Sequence, residues 1–271
     1  MYQTILHNVK QHPSLVHCIT NYVTVNDVAN MVLASGGSPI MADDKSEVEE
    51  ITSICTSLVI NIGTLNARTV EAMVLAGKKA NALGHPVILD PVGTGASGMR
   101  TETVKRLLKE IQFGVIRGNV SEIKAVFSGS GETAGVDASA ADAVTEDNLE
   151  KMENMAKLLS AQTGAVIVVT GAIDLVADEH NSFIIRNGDP MMSKITGTGC
   201  MLDGVIAGFA GSNQDRILEA AAAAVCAMGY CGETAKIKCQ GTSSMKMHLI
   251  DAMSSLTADE LERGAKVESR I

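Results

Sequence analysis

The sequence predicts an α/β fold with a mostly parallel central sheet and a helical C-terminal part. Three observations carry that prediction. Short apolar runs alternate with longer helix-like segments as far as about Arg186. Several runs (LVINI, VIL, AVIVV) are continuously apolar, as strands buried on both faces are. Beyond Gly199 every segment reads as helix.

In chain order, the spacing predicts strands over Val16–Thr20, Ser38–Met41, Leu58–Ile62, Pro86–Asp90, Gly114–Arg117 and Ala165–Thr170. Between them Asn26–Ala34, Ala67–Leu83, Thr101–Ile111, Ser121–Phe127 and Glu146–Ala161 read as helices. Strand alternating with helix implies right-handed crossovers and parallel pairing. Asp174–Ala177 and Ser182–Arg186, split by DEHN, read as an antiparallel hairpin. Helices are then expected over Met201–Ala210, Gln214–Lys236 and a last stretch from Ser243 to about Gly264. No internal repeat and no linker interrupts the chain, so residues 1–271 are expected to fold as one domain. The single low-complexity patch, Ser128–Ala141, reads as a connection into the next helix or as a loop beside a ligand.

Composition excludes several functions. With 46% hydrophobic residues in 271, there is ample material for a core. There is no Trp and only 3% aromatic content, which argues against a stacking surface for single-stranded nucleic acid. A net charge of −9 argues against a general basic field for polyanions. No secretion-signal pattern opens the chain and no apolar run is long enough for a membrane span. Six scattered cysteines without a CxxC pair read as free thiols of a reducing cytoplasm.

In an open parallel sheet, ligands bind beyond the carboxyl ends of the strands. Asn21, Gly63-Thr64, Asp90-Pro91-Val92-Gly93, Arg117-Gly118-Asn119 and Thr170-Gly171 all follow predicted strands. Small, polar and acidic residues thus gather at one edge. The strongest segment is Ile195-Thr196-Gly197-Thr198-Gly199-Cys200, followed by a helical apolar stripe. A glycine turn opening a helix presents N–H groups without helical partners at the positive end of the dipole, a site suited to phosphate. It is neither a P-loop nor a GxGxxG motif. Cys200 falls in that first turn, where the dipole favours thiolate; a small buried thiol is the plainer role. Asp90 suits a Mg²⁺ site. So does Glu122, which is also placed to form a capping box with Asn119. Arg117 ends a buried strand and needs a partner, a salt bridge or a phosphate. No GxSxG and no histidine pair with zinc spacing is present.

Taken together, HCITNYVTVNDVAN, GSPIMA, NIGT, VILDPVGTGAS, IRGNVSEI, VVTG and ITGTGC resemble, in order and interval, the hydroxyethylthiazole kinase family of thiamin salvage. The resemblance runs from about residue 10 to 210. It implies a ribokinase-like three-layer αβα fold and transfer of a phosphoryl group from Mg²⁺-ATP to the hydroxyl of 4-methyl-5-(2-hydroxyethyl)thiazole. It also implies a cytoplasmic homotrimer with active sites at subunit interfaces. Carried over by motif, Met41, Asn21, Gly63 and Gly197 are expected to bind the thiazole, and Arg117 and Thr170 the ATP. Asp90 and Glu122 are expected near the metal. Gly197, Thr198, Gly199 and Cys200 form the expected anion hole, with Cys200 as the catalytic residue. Cys200 stands where most ribokinase-like kinases carry Asp, which argues against kinases of hydroxymethylpyrimidine or pyridoxal. Thr198 and Tyr22 depart from the family pattern, where Ala and Asn are common. A dehydratase of hydrated nicotinamide nucleotides and a non-catalytic nucleotide binder are the other readings of the same fold.

Overall fold

The computed structural model describes residues 1–128 and 143–271, so all but the first residue of the low-complexity patch lies outside the described residues. Strands β1 (Leu15–Ile19), β2 (Ser38–Met41), β3 (Ser57–Asn61), β4 (Val87–Asp90), β5 (Val115–Asn119) and β6 (Val166–Thr170) are parallel, in the order β2-β1-β3-β4-β5-β6. Strands β7 (Asp174–Ala177), β8 (Ser182–Ile185) and β9 (Val267–Arg270) continue the same sheet antiparallel. The expected hairpin is β7–β8. The central strands bury both faces, and successive side chains feed opposite cores: Leu58 and Ile60 one, Val59 the other.

Helices α3 (Val48–Ile54), α4 (Ala67–Leu83), α5 (Gly98–Glu110), α6 (Val120–Ser128) and α7 (Leu149–Thr163) cover one face. The capping box of Asn66 with Thr69 starts α4, and left-handed Gly84 (φ +73°) ends it. The other face carries α1 (Tyr2–Gln11), α2 (Val25–Ala34), α8 (Thr198–Gly211) and α9 (Ile217–Lys238), with α10 (Thr242–Ser255) and α11 (Ala258–Gly264) outside them. Every residue of α8 from Met201 to Ala210 is buried, because the sheet, α2 and α9 enclose it. The three layers are the αβα architecture expected.

Three elements were not foreseen. Helix α1 buries Tyr2, Ile5, Leu6 and Val9 at helical spacing. Short α3 lies between β2 and β3. The C-terminal part is not all helix: β9 adds the edge strand. The expected last helix also breaks at Leu256, and the Thr257 side chain caps α11.

Candidate active site

All six parallel strands point their carboxyl ends at one edge, where α8 begins. Helix α8 starts at Thr198, three residues earlier than predicted, because Gly197 takes φ +86° and acts as its cap. A side chain at Gly197 would strike Thr24, so the turn is closed to larger residues. The N–H groups of Thr198, Gly199 and Cys200 therefore form the free first turn.

Arg117 lies across that turn; any Cβ at Gly199 would collide with its guanidinium. Its side chain is 11% exposed. Nη1 faces Asp90 Oδ2 at 3.3 Å and Asp203 Oδ1 at 3.7 Å, and Nη2 donates to Thr170 Oγ1 at 2.9 Å. Nε is buried without a partner. The salt-bridge reading of Arg117 therefore holds, with a donor to spare on a residue that lines a cavity.

Asp203 was not singled out by sequence. It follows Cys200 by three residues on α8, hence on the same helix face. One ligand atom from each of Asp90, Cys200 and Asp203 falls within 4.8 Å of the others. Asn61 was also missed. Its Nδ2 donates to Asp90 Oδ2 at 2.6 Å and faces Cys200 Sγ at 3.3 Å. Its Oδ1 accepts from Asn21 Nδ2 at 3.1 Å and from the Gly63 N–H at 2.9 Å. Asn21 Nδ2 also reaches Cys200 Sγ at 3.1 Å. The two amides thus fix the sulfur. Arg100 ties the loops after β3 and β4 together, donating to Ile62 O at 2.9 Å, Val92 O at 2.5 Å and Gly63 O at 2.8 Å.

Of the two sequence readings of Cys200, thiolate or small buried thiol, its surroundings favour the thiol. Burial, then the Asp90 charge, raises the Cys200 pKa; hydrogen bonds from Thr24 and Asn21 and the Arg117 charge only moderate this. Burial and the Asp203 charge raise Asp90, and burial raises Asp203. Glu122 makes the capping box, accepting from the Asn119 N–H at 2.9 Å, and also from the Gly93 N–H at 2.9 Å. It stands apart from the Asp90–Cys200–Asp203 cluster.

Two cavities flank this cluster. One, of about 490 Å³, is lined by Arg117, Thr170, Thr198 and Gly199 and runs to Leu202, Val225 and Met228. The other, of about 360 Å³, is lined by Thr20, Tyr22, Met41, Asn61, Arg68 and Met73. Met41 is thus on a cavity wall. Asn21 and Gly63 adjoin it through hydrogen bonds, Asn21 to Asn61 and Cys200 and the Gly63 N–H to Asn61. Arg117, on the wall of the first cavity, and Asn61, on the wall of the second, both contact Asp90, so the cluster is joined to each cavity through one lining residue. Such an arrangement can hold an anion against the α8 turn and a small polar molecule on the far side of a thiol. Among the described residues no helix is long and apolar enough to cross a membrane.

The model of the hydroxyethylthiazole kinase family matches residues 6–259. A Clostridium acetobutylicum protein named hydroxyethylthiazole kinase is 56% identical over 267 residues, covering 97% of this chain and 98% of its own. A solved hydroxyethylthiazole kinase from Pyrococcus horikoshii superposes with a TM-score of 0.89 and 31% identity, over 100% of this chain and 99% of its own. A ribokinase-like superfamily protein from Enterococcus faecalis superposes with a TM-score of 0.61, over 93% of this chain and 88% of its own. At 13% identity that likeness speaks for the fold alone, which is ribokinase-like.

Proposed function

The chain belongs to the hydroxyethylthiazole kinase family, and from that premise we propose how its residues divide the work. The reaction is the ATP-dependent phosphorylation of hydroxyethylthiazole in thiamin salvage. The observation that carries the assignment to this site is the buried Asp90–Cys200–Asp203 cluster, joined through Arg117 to one cavity and through Asn61 to the other. ATP occupies the cavity of Arg117 and Thr170, and hydroxyethylthiazole the cavity of Met41. Residues 1–271 act as a single kinase domain.

Phosphoryl transfer depends on positioning and on charge stabilisation. The first-turn N–H groups of α8 and the Arg117 guanidinium, whose Nε lacks a partner, receive the charge of the transferring group. Cys200 orients the substrate hydroxyl, held in place by Asn21 and Asn61. As a thiol it is not a ready base, so the hydroxyl proton leaves late, directly to an oxygen of the transferring phosphoryl group. Gly197 keeps the turn narrow enough for this approach. Mg²⁺ would be held beside Asp90, whose Oδ1 is buried without a hydrogen-bond partner; Glu122, whose two oxygens accept the Gly93 and Asn119 N–H groups outside that cluster, would serve as the second acid from farther off. When bound, the ion screens the triphosphate charge.

A homotrimer in the cytoplasm, with sites at subunit interfaces, is part of this reading. It rests on the family, and the adjacent Tyr22 and Val23, exposed beside the Met41 cavity, leave room there for a second copy.

The test is incubation with Mg²⁺-ATP with and without hydroxyethylthiazole, with mass detection of products. The expected result is thiazole phosphate and an equal amount of ADP. ADP and free phosphate without a phosphorylated thiazole would overturn the reading in favour of a dehydratase-type reaction.

A further inference from the structure

We propose that the phosphate donor is selected by its ribose and phosphates and not by its base, with Asp174 as the residue that accepts a ribose hydroxyl. This rests on the reading of the 490 Å³ cavity as the nucleotide site.

The cavity has two unlike ends. Arg117, Thr170 and the α8 turn form the polar one. Leu202, Val225, Met228, Pro190 and Met192 wall the rest, a slot suited to a flat ring. A site that reads a base must present a donor or acceptor to its edge. Here the polar groups of the adjoining segment are turned inward. Asn187 Nδ2 donates to Gly264 O at 2.9 Å and to Glu233 at 3.2 Å, and its Oδ1 accepts from the Lys266 N–H at 2.7 Å. The Gly188 N–H donates to Glu233 at 2.8 Å, and the Met191 N–H to Asp189 Oδ1 at 2.8 Å. The Met192 N–H reaches Asp189 O at 2.9 Å, and Pro190 has no N–H. Ser193 Oγ donates to Pro190 O at 2.8 Å. Among the described residues, most of what remains toward the slot is apolar surface, which holds purines of different edges alike.

Asp174 differs from these residues. It opens β7 just across the turn from Thr170 and lines the same cavity. One carboxylate oxygen accepts from the Gly171 N–H at 2.8 Å; the other makes no hydrogen bond to the described residues. Burial pushes its pKa up to about 7, opposed by the Gly171 N–H and by the Arg117 charge. Asp174 follows Thr170, the last residue of β6, by four residues and lines the cavity together with Thr170 and Arg117, which places it toward the phosphate end. A carboxylate there repels phosphate oxygens and is satisfied by a donated O–H. The ribose hydroxyls lie between the phosphates and the base, where that acceptor stands.

The experiment measures kcat/KM with hydroxyethylthiazole for ATP, GTP, ITP, 2′-deoxy-ATP and 3′-deoxy-ATP, in the native protein and in Asp174→Ala. ATP, GTP and ITP are expected within about tenfold of one another, the span of weak apolar discrimination. At least one deoxy nucleotide should fall about tenfold or more below ATP, as loss of a hydrogen bond to a charged group predicts. In Asp174→Ala that ratio should collapse toward one. A preference for ATP over GTP above about a hundredfold would overturn the inference, as would equal use of ATP and both deoxy nucleotides by the native protein. A deoxy discrimination preserved in Asp174→Ala would overturn the role of Asp174. Should that variant fail to fold, the native donor series and Asp174→Asn decide. If no nucleotide supports transfer, the reading of the cavity falls, whereas strict use of ATP removes only this inference.

Discussion

The two cavities, tied together through Arg117, Asp90 and Asn61, are walled by different chemistry. The nucleotide side is an apolar slot closed at one end by a buried guanidinium and a helix start. The alcohol side is smaller and largely polar, with Met41 and Met73 beside Asn61, Thr64 and Asn66. Its cation, Arg68, is half-exposed and already paired with Asp43 at 3.0 Å. The contrast says where binding comes from on each side. In the proposed assignment the triphosphate is held by charge in a desolvated place, where each contact is strong. In the same assignment the small thiazole is held by shape, where each contact is modest.

That difference can be broken from the nucleotide side first. Arg117→Ala removes the cation and leaves Asp90 and Asp203 facing each other without compensation. Its kcat/KM for ATP should fall about a thousandfold, in the range of a lost transition-state contact. Steady-state kinetics over a range of ATP checks this; a loss under tenfold contradicts it. Gly199→Ala pushes a methyl group into the guanidinium. It should raise the KM for ATP by about one to two orders of magnitude, the effect of displacing a charged contact, while calorimetry finds thiazole binding unchanged. Met41→Ala acts from the other side. Trimming one apolar contact should raise the KM for the thiazole about tenfold and leave that for ATP alone. Parallel rises in both would mean that the cavities are not separate.

The smallest effect is on stability. The Asp174 pKa rises from its ordinary value of 3.8 to about 7 in the folded chain, chiefly by burial. Folding therefore favours the protonated acid. Its contribution is full below the unfolded value and is lost as pH rises through 7. Asp174→Asn escapes that loss. Without nucleotide, its Tm relative to the native protein should climb by a few degrees between about pH 5 and pH 8. A difference that does not vary with pH contradicts the burial of an ionisable acid.

Much of this was legible before the structure. Continuous apolar runs placed the parallel strands, since only strands covered on both faces can carry them. The glycines around Thr198 placed the α8 turn. What escaped had weak local signals. VESR of β9 is polar because it lies at the sheet edge, and its partner β8 is more than 80 residues away in sequence. Short α3 has seven residues, too few for periodicity to declare itself. The spacing of Tyr2, Ile5, Leu6 and Val9 did announce α1, had the N-terminus been read for helix as well as for targeting. Asp203 and Asn61 are different cases. An acid three residues after Cys200 was visible, but only packing shows that α8 is buried from Met201 to Ala210 and that this acid faces Arg117. Asn61 was hidden in NIGT behind its glycine, whose N–H proves to orient it.

The central claim is that Cys200 stands at the junction of two independently formed sites and acts on transfer rather than on binding. The most direct measurement is single-turnover transfer in Cys200→Ala with both substrates saturating, alongside calorimetric Kd values for each. The account predicts both Kd values within about threefold of native, less than the loss of a single hydrogen bond. It predicts transfer slowed by about two orders of magnitude or more. Transfer at the native rate, or the loss of either substrate's binding, would contradict it.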